Sequence, residues 1–220
     1  KKITTTSFVL PKKKPITYKV SSNETETSKV LNKKDFDKAK EVIKFIKSKK
    51  WNSALKLTEK IKDKEFRNLI TWMYLKTTRN GASFNEYKKF IEQNSDYPRI
   101  NRIRYLAEEK IYLRNNSPTS IINWFEKYPP LGGMGKIKLA EAYLEKGQSD
   151  KVEKLIKEGW ITAQIRKNDL GYYRAKFKKF ITSEDHLKRA DYLAWERKYW
   201  DLKRMLKYLP KDERALYNAR

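Results

Sequence analysis

The sequence predicts an all-α protein, a right-handed superhelix of stacked antiparallel helical hairpins. Three observations predict this fold class. Apolar residues recur at helical spacing from Asp35 onward, no alternating strand pattern of useful length is present, and only 7 glycines and 7 prolines interrupt 220 residues. We expect about twelve helices of roughly 10 to 16 residues, forming an open solenoid or a segment of a closed ring.

Residues 1–34 differ from the rest of the chain. They contain Pro11-Lys-Lys-Lys-Pro15 and a polar stretch over 21–28, and few residues that could form a core. This composition predicts an extended cationic linker or tail before a helical domain over 35–220. A solenoid that stops inside a helix, at Arg220, would expose its last apolar face, so we expect the domain to continue in the full protein.

The first half of the domain contains six expected helices. The first has Phe36, Ala39, Ile43 and Ile46 on one face, and Trp51 opens the second, where a small Ala54 lets the paired helix approach. The other boundaries rest on caps and breaks. The third helix is expected over Glu65–Arg79, stopped by Asn80-Gly81, and the fourth after the Ser83/Glu86 capping box. The fifth is expected over Arg99–Arg114, and the sixth begins at Ser117-Pro118.

The second half of the domain is expected to contain six more helices, bounded by similar cap and turn residues. Gly132-Gly-Met-Gly135 is read as a tight passage into the seventh helix, and Gly147 as the residue that closes it. The later boundaries follow chain order. They are Ser149 before the eighth helix, Asn168–Lys179 for the ninth, Thr182-Ser-Glu-Asp185 before the tenth, an eleventh around Trp200, and Pro210 before a twelfth starting near Lys211.

The six tryptophans fall among other apolar residues at helical spacing. We therefore expect most of them to be interhelical core, with one or two facing a groove. The third helix is expected to point Leu69, Trp72, Met73 and Leu75 inward, and the eleventh contributes Trp200 with Leu202 and Met205.

The formal charge is +25, from 52 basic and 27 acidic residues. Such a field attracts polyanions, including nucleic acid, anionic membranes and peptidoglycan. The basic residues are scattered, which is more typical of a solvated surface than of a recognition patch. The chain has no cysteine, which excludes disulfides and thiolate chemistry, and no apolar run of about 18 residues that would span a membrane.

No group of residues forms a complete catalytic site. His186 is the single histidine, and its position predicts a capped helix start with a local hydrogen bond. Gly132–Gly135 lacks the Lys-Ser/Thr ending of a phosphate-binding loop, so we interpret these glycines as a tight turn that larger residues would not fit. The pairs Glu108-Glu109 and Asp212-Glu213 are interpreted as solvated surface. We therefore assign no catalytic, cofactor-binding or metal-binding residue and expect no cofactor.

A resemblance to a known family runs through residues 40 to 220. It is carried by Phe90-Ile-Glu-Gln-Asn-Ser-Asp-Tyr-Pro98, Trp124-Phe-Glu-Lys-Tyr-Pro-Pro-Leu131, Leu139–Gly147, Gly159-Trp160, Thr182-x-x-Asp-His-x-x-Arg189 and Leu209-Pro-Lys-Asp-Glu-Arg-Ala215. This order resembles the N-terminal α-superhelix of soluble lytic murein transglycosylases. Tyr97 replaces the tryptophan usual in that family.

The resemblance implies a periplasmic protein that cleaves peptidoglycan glycan strands to 1,6-anhydromuramyl products. In that family the catalytic glutamate belongs to a C-terminal lysozyme-like domain, in a Glu-Ser motif followed by Gly-Leu-Met-Gln. Neither motif occurs in this sequence, so no residue here inherits the catalytic role. The expected role of this region is to position the glycan strand or the catalytic domain.

Two other functions fit the same fold. One is a tetratricopeptide-like adaptor that binds a protein partner in its concave groove. The other, which the charge motivates, is a nucleic-acid-binding helical repeat; it predicts tight binding that falls steeply with salt.

Overall fold

The protein is described here from a computed structural model, which covers residues 27–218. These residues form twelve α-helices and two short 3₁₀ turns, with no strand, which confirms the predicted all-α class. In chain order the α-helices are α1 Lys33–Lys47, α2 Trp51–Thr58, α3 Lys64–Lys76, α4 Phe84–Gln93, α5 Ile100–Glu108, α6 Pro118–Lys127, α7 Gly133–Glu145, α8 Val152–Thr162, α9 Lys167–Lys176, α10 Ser183–Trp195, α11 Tyr199–Met205 and α12 Lys211–Asn218. Most of the predicted cationic tail lies outside the described residues.

The described chain divides into two compact units, with the boundary after Arg67, inside α3. In the first unit, α1 and α2 pack as a hairpin, and Ala39 and Ala54 are buried. Asn32 caps α1 by accepting the Asp35 N–H. The buried Asp35 carboxylate accepts the backbone N–H groups of Lys62 and Asp63, at 3.1 and 3.3 Å. One carboxylate therefore joins the start of α1 to the chain that follows α2.

Helix α7 is the centre of the second unit. It packs against α5, α6 and α8, and α8 in turn packs against α10. A helix surrounded by neighbours is buried on every face rather than along one stripe. This is observed over residues 137–142, which are all buried, including Lys138 and Glu141.

Several helix ends lie where caps in the sequence predicted them. Ser83 with Glu86 and Thr182 with Asp185 form capping boxes at α4 and α10, and Ser117 accepts the Ser120 N–H at the start of α6. These side chains satisfy backbone N–H groups that the first helical turn leaves unpaired. Gly147 has a φ of 72°, the left-handed conformation expected after α7.

Other boundaries differ from the prediction. Helix α3 ends at Lys76 rather than Arg79, because the Asn80 side chain donates to the carbonyls of Tyr74, Leu75 and Thr77. Its inward face was predicted correctly at Leu75, which is buried, and wrongly at Leu69, which is exposed while Ile70 is buried.

Helix α5 ends at Glu108 instead of Arg114, and α9 spans Lys167–Lys176 instead of Asn168–Lys179. Ile111 is nevertheless buried, as its place in the apolar stripe predicted. It lies on the turn after α5 rather than in the helix.

The interpretation of Glu108 as solvated surface is wrong. Its side chain is buried, and its two oxygens accept the N–H groups of Leu131 and Gly132, at 2.5 and 2.9 Å. A Cβ at Gly135 would lie 2.5 Å from the Glu108 carboxyl group. The glycines of 132–135 therefore let α7 begin against this carboxylate, and Gly133–Gly135 already belong to the helix.

Candidate functional site

Exposed aromatic rings cluster where α10 ends and α11 begins. Trp195, Tyr199 and Trp200 are 88%, 60% and 67% exposed. We call these three residues the aromatic surface. Large apolar side chains so exposed and so close together mark interaction sites more often than single exposed ones do. Trp200 was predicted to lie with the apolar residues of the eleventh helix, but it faces solvent, whereas Met205 on the same helix is fully buried.

A tight turn produces this arrangement. Arg197 has a φ of 54°, and the Lys198 N–H donates to the Leu193 carbonyl at 2.8 Å. The chain therefore reverses over residues 196–198 between α10 and α11. The two helices pack on each other, and their facing ends leave Trp195 and Tyr199 on either side of the turn.

Two residues of the aromatic surface, Trp195 and Tyr199, line a groove of about 960 Å³, and Trp200 contacts the Tyr199 ring outside that lining. Leu193, Leu202 and Leu206 give the groove an apolar floor, and Tyr217 of α12 donates a hydrogen bond to Asp191 at its edge. A groove of this size is large enough for a drug-sized molecule or a segment of polymer.

One cation, Lys203, lies beside two rings of the aromatic surface. The Lys203 Nζ lies 5.8 Å from the centroid of the Tyr199 ring and 5.7 Å from that of Trp200. The Tyr199 and Trp200 rings meet edge to face, with centroids 5.0 Å apart. The groove therefore presents flat apolar faces beside positive charge, which suits a ligand with apolar ring faces and anionic substituents.

A second, polar cavity of about 320 Å³ lies elsewhere in the same unit. It is bounded by the turn between α3 and α4, the end of α5, α7, and the segment that joins α8 to α9. Lys138 of α7 is buried at its wall; burial lowers the pKa of this ammonium to about 8, although Glu141 and Asp169 oppose the shift.

His186 lies in a capped helix start, as predicted, and its backbone N–H donates to the Thr182 carbonyl at 3.2 Å. Its ring is half-buried, 5.5 Å from the Trp160 ring and 5.8 Å from the Tyr208 ring. Within the described chain its Nδ1 has no hydrogen-bond partner. Burial and the nearby Arg174 lower the pKa of His186.

The residues of the Thr182–Arg189 motif act structurally in the described chain. Asp185 completes the α10 capping box, and the buried Arg189 donates a hydrogen bond to the Trp160 carbonyl. Burial lowers the pKa of Arg189 to about 10.

Sequence reasoning missed the buried charges at 108, 138 and 141. A signal was present for α7: apolar residues on every face of Ile137–Ala142 indicate a surrounded helix, where Lys138 and Glu141 have to be buried. No comparable pattern marks Glu108, because the residues that contact it follow more than twenty positions later.

The described residues lack two further features. No helix among them is long and apolar enough to cross a membrane. No group of three or more histidine or acidic side chains in residues 27–218 is arranged to hold a metal ion.

The fold and these sites define an all-α protein of packed helices with an exposed aromatic surface and a separate polar cavity. No family model matches the chain, and neither a curated protein nor a solved structure is significantly similar to it. Its function is therefore inferred from its own residues.

Proposed function

We propose that this chain is a helical scaffold that binds peptidoglycan glycan strands, as part of a periplasmic protein of the soluble lytic murein transglycosylase type. In this proposal the bond is cleaved by a domain outside these 220 residues. The observation that carries the proposal is the aromatic surface with Lys203 beside it. The superhelical arrangement of the hairpins belongs to the same proposal.

Peptidoglycan combines the two features that this surface suits. Its pyranose rings have apolar C–H faces that can lie flat on an aromatic side chain, and its peptide stems carry carboxylates. Exposed tryptophan supplies a large, rigid contact face at small entropic cost. The net charge of +25 adds a long-range attraction for the anionic stems.

The residues that carry the family resemblance also support the proposal. Trp160 and Arg189 come from separate motifs of the sequence, and in the structure they contact each other. Both are buried, so the motifs mark a shared interior rather than a scattered set of surface residues. The aromatic surface follows directly after the second motif, at the end of α10.

Binding to purified sacculi tests the proposal. The chain is sedimented with sacculi over a salt series, as wild type and as the double variant Trp195→Ala/Trp200→Ala. Stacking on one aromatic side chain is worth about 1–3 kcal/mol in nucleic-acid complexes, and we expect the double variant to lose about tenfold or more in affinity. Leu69→Ala, at an exposed apolar residue outside the aromatic surface, is the matched control and should bind like the wild type.

The charge contribution is tested in the same assay. We expect Lys203→Ala to weaken binding at low salt and to matter less at high salt, because screening reduces interactions between exposed charges. Lys167→Ala removes the same charge from an exposed site on α9 and is the control. Equal binding by wild type and the double variant at every salt concentration would refute a glycan role for the aromatic surface.

The apolar floor of the groove favours a second candidate, an adaptor for an amphipathic helix of a protein partner. A competition experiment with a soluble sugar distinguishes the two functions. A soluble oligosaccharide of N-acetylglucosamine and N-acetylmuramic acid displaces the chain from sacculi if the groove binds sugar. If the groove binds helices, the oligosaccharide has no effect and the double variant sediments normally.

A further inference from the structure

The polar cavity holds a buried ammonium with little to neutralise it. The Lys138 side chain is 3% exposed, and its Nζ makes one hydrogen bond within the described chain, to the Tyr173 hydroxyl at 2.6 Å. It also lies 4.4 Å from the centroid of the Tyr112 ring. An ammonium group has three donors, and burying a charge without an anionic partner costs several kcal/mol.

The nearest carboxylate, Glu141, forms only a long ion pair with Lys138 and is also engaged by Tyr172 and Lys176. Glu141 Oε2 is 3.9 Å from Lys138 Nζ, which is beyond hydrogen-bonding distance. The other oxygen of Glu141 accepts the Tyr172 hydroxyl at 2.5 Å and is 3.3 Å from Lys176 Nζ. Lys176 also binds Glu145 at 2.7 Å. Glu141 is therefore shared between two lysines and neutralises Lys138 only in part.

The rest of the cavity wall is also positive on balance. Arg79, Lys110 and Arg166 line it together with Lys138, against the carboxylates of Glu109 and Asp169. Arg166 is already paired with Asp169 at 2.8 Å. Apart from the Arg166–Asp169 pair, the lining contributes three cations, at 79, 110 and 138, and one carboxylate, Glu109; Glu141, outside the lining, offsets part of the charge of Lys138.

Hydrogen bonds to neutral groups hold parts of the cavity wall in fixed positions, which would help the cavity to hold an anion. The Tyr112 hydroxyl accepts a 2.8 Å hydrogen bond from Arg166, which fixes the ring that packs against Lys138, and Lys110 is fixed by a 2.7 Å hydrogen bond to the Asn80 carbonyl. A cavity of about 320 Å³ is at the small end of ligand sites, so it fits a small molecule rather than a polymer.

We propose that this cavity binds a small oxyanion, a molecule with one or two carboxylate or phosphate groups, with one anionic group against Lys138 Nζ and the rest toward Arg79 and Lys110. This site is separate from the aromatic surface and does not depend on the glycan proposal. The lowered pKa of Lys138 agrees with it, because an anion in the cavity would offset part of the cost of burying the ammonium charge.

Titration calorimetry on the whole chain tests this site. The probes are succinate, inorganic phosphate and the uncharged succinamide. We expect saturable binding, one per chain, of succinate or of phosphate, and none of succinamide. The preference between the two anions distinguishes a carboxylate ligand from a phosphate ligand.

The variants identify the residue responsible. Lys138→Met keeps the length of the side chain but removes its charge, and we expect affinity to fall about tenfold or more, the scale of one charge-assisted hydrogen bond. Lys167→Met makes the same change of net charge at an exposed site outside the cavity and should bind like the wild type. Arg79→Gln, at an exposed residue of the cavity rim, should weaken binding even if Lys138→Met does not fold.

Three results would overturn the inference. One is the absence of saturable binding of either anion at millimolar concentration. Another is equal affinity in the wild type, Lys138→Met and Arg79→Gln. The third is an equal loss in Lys167→Met, which would mean that the anions respond to overall charge and not to the cavity.

Discussion

Glu108 shows how one buried side chain can connect distant parts of the fold. Its carboxylate accepts the N–H groups of Leu131 and Gly132, at the start of α7. A further backbone hydrogen bond from Gly135, in the first turn of α7, takes the place of a capping side chain, which the Gly132 N-cap cannot provide. The opposing effect is burial, which raises the pKa of Glu108 to about 7 despite those hydrogen bonds.

The raised pKa predicts a pH-dependent stability. Because the folded state holds the proton of Glu108 more tightly than the unfolded state, this group stabilises the fold most at low pH. Its contribution is lost between about pH 4.5 and pH 7. We expect the wild type to lose on the order of 2 to 3 kcal/mol relative to Glu108→Gln between pH 5 and pH 8. Urea unfolding of both proteins at the two pH values measures it.

In that comparison the contributions of other titrating groups cancel, since both proteins share them. A stability difference between wild type and Glu108→Gln that is the same at pH 5 and pH 8 would contradict the assignment. Glu108→Gln should be less stable than the wild type at pH 5, because the amide NH2 group cannot accept from the second backbone N–H, whereas the hydroxyl oxygen of the protonated carboxyl group keeps acceptor capacity.

Two glycines predict opposite responses to the same substitution. A Cβ at Gly135 would lie 2.5 Å from the anchored Glu108 carboxyl, whereas a Cβ at Gly171, within α9, would meet nothing within 4 Å. We expect Gly135→Ala to cost about 1–3 kcal/mol through overpacking, and Gly171→Ala to stabilise by about 0.5–1 kcal/mol through helix propensity. Thermal or urea unfolding checks both, and equal effects of the two variants would contradict the packing account.

At the scale of elements, caps fix where helices start. Ser83, Ser117 and Thr182 bond backbone N–H groups three residues ahead, and each was readable in the sequence. The C-terminal ends of helices were harder to predict from sequence, because a side chain that lies beyond the helix can bind its last carbonyl groups. Asn80 does so for α3 from beyond the helix.

The cap of α10 predicts a measurable stability loss. Thr182 accepts the Asp185 N–H, and Asp185 Oδ2 accepts the Thr182 N–H at 2.9 Å. We expect Thr182→Ala to lower the free energy of unfolding by about 1 kcal/mol, and Thr182→Ser to retain most of it. Equal stability of the Ala and Ser variants would show that the cap contributes little.

The faces of helices were predictable only where the neighbours could be inferred. The stripe of α5 is buried as expected, including Ile103 and Leu106. Trp195 and Trp200 also follow helical spacing, but both remain mostly exposed. Periodicity identifies an apolar face and does not say what packs on it. The sequence therefore predicted that one or two tryptophans face a groove, but it could not show which ones form the aromatic surface.

At the scale of the whole molecule, the positive charge is distributed differently from the two candidate binding sites. The +25 charge is spread over the chain, whereas the two sites depend on a few residues each. Composition therefore predicted an affinity for anions but could not locate the polar cavity, because its lining residues come from four segments of the sequence. The long-range field raises the rate of encounter, and the local groups decide what binds.

The most direct test of the glycan proposal is the tryptophan indole N–H spectrum of the whole chain during titration with an N-acetylglucosamine–N-acetylmuramic acid tetrasaccharide. The chain has 6 tryptophans, and replacing each in turn assigns the signals. We predict saturable shifts of Trp195 and Trp200, while the buried Trp124 and Trp160 stay unchanged. Saturation with no shift at Trp195 or Trp200, or the absence of any shift at millimolar sugar, would contradict the proposal.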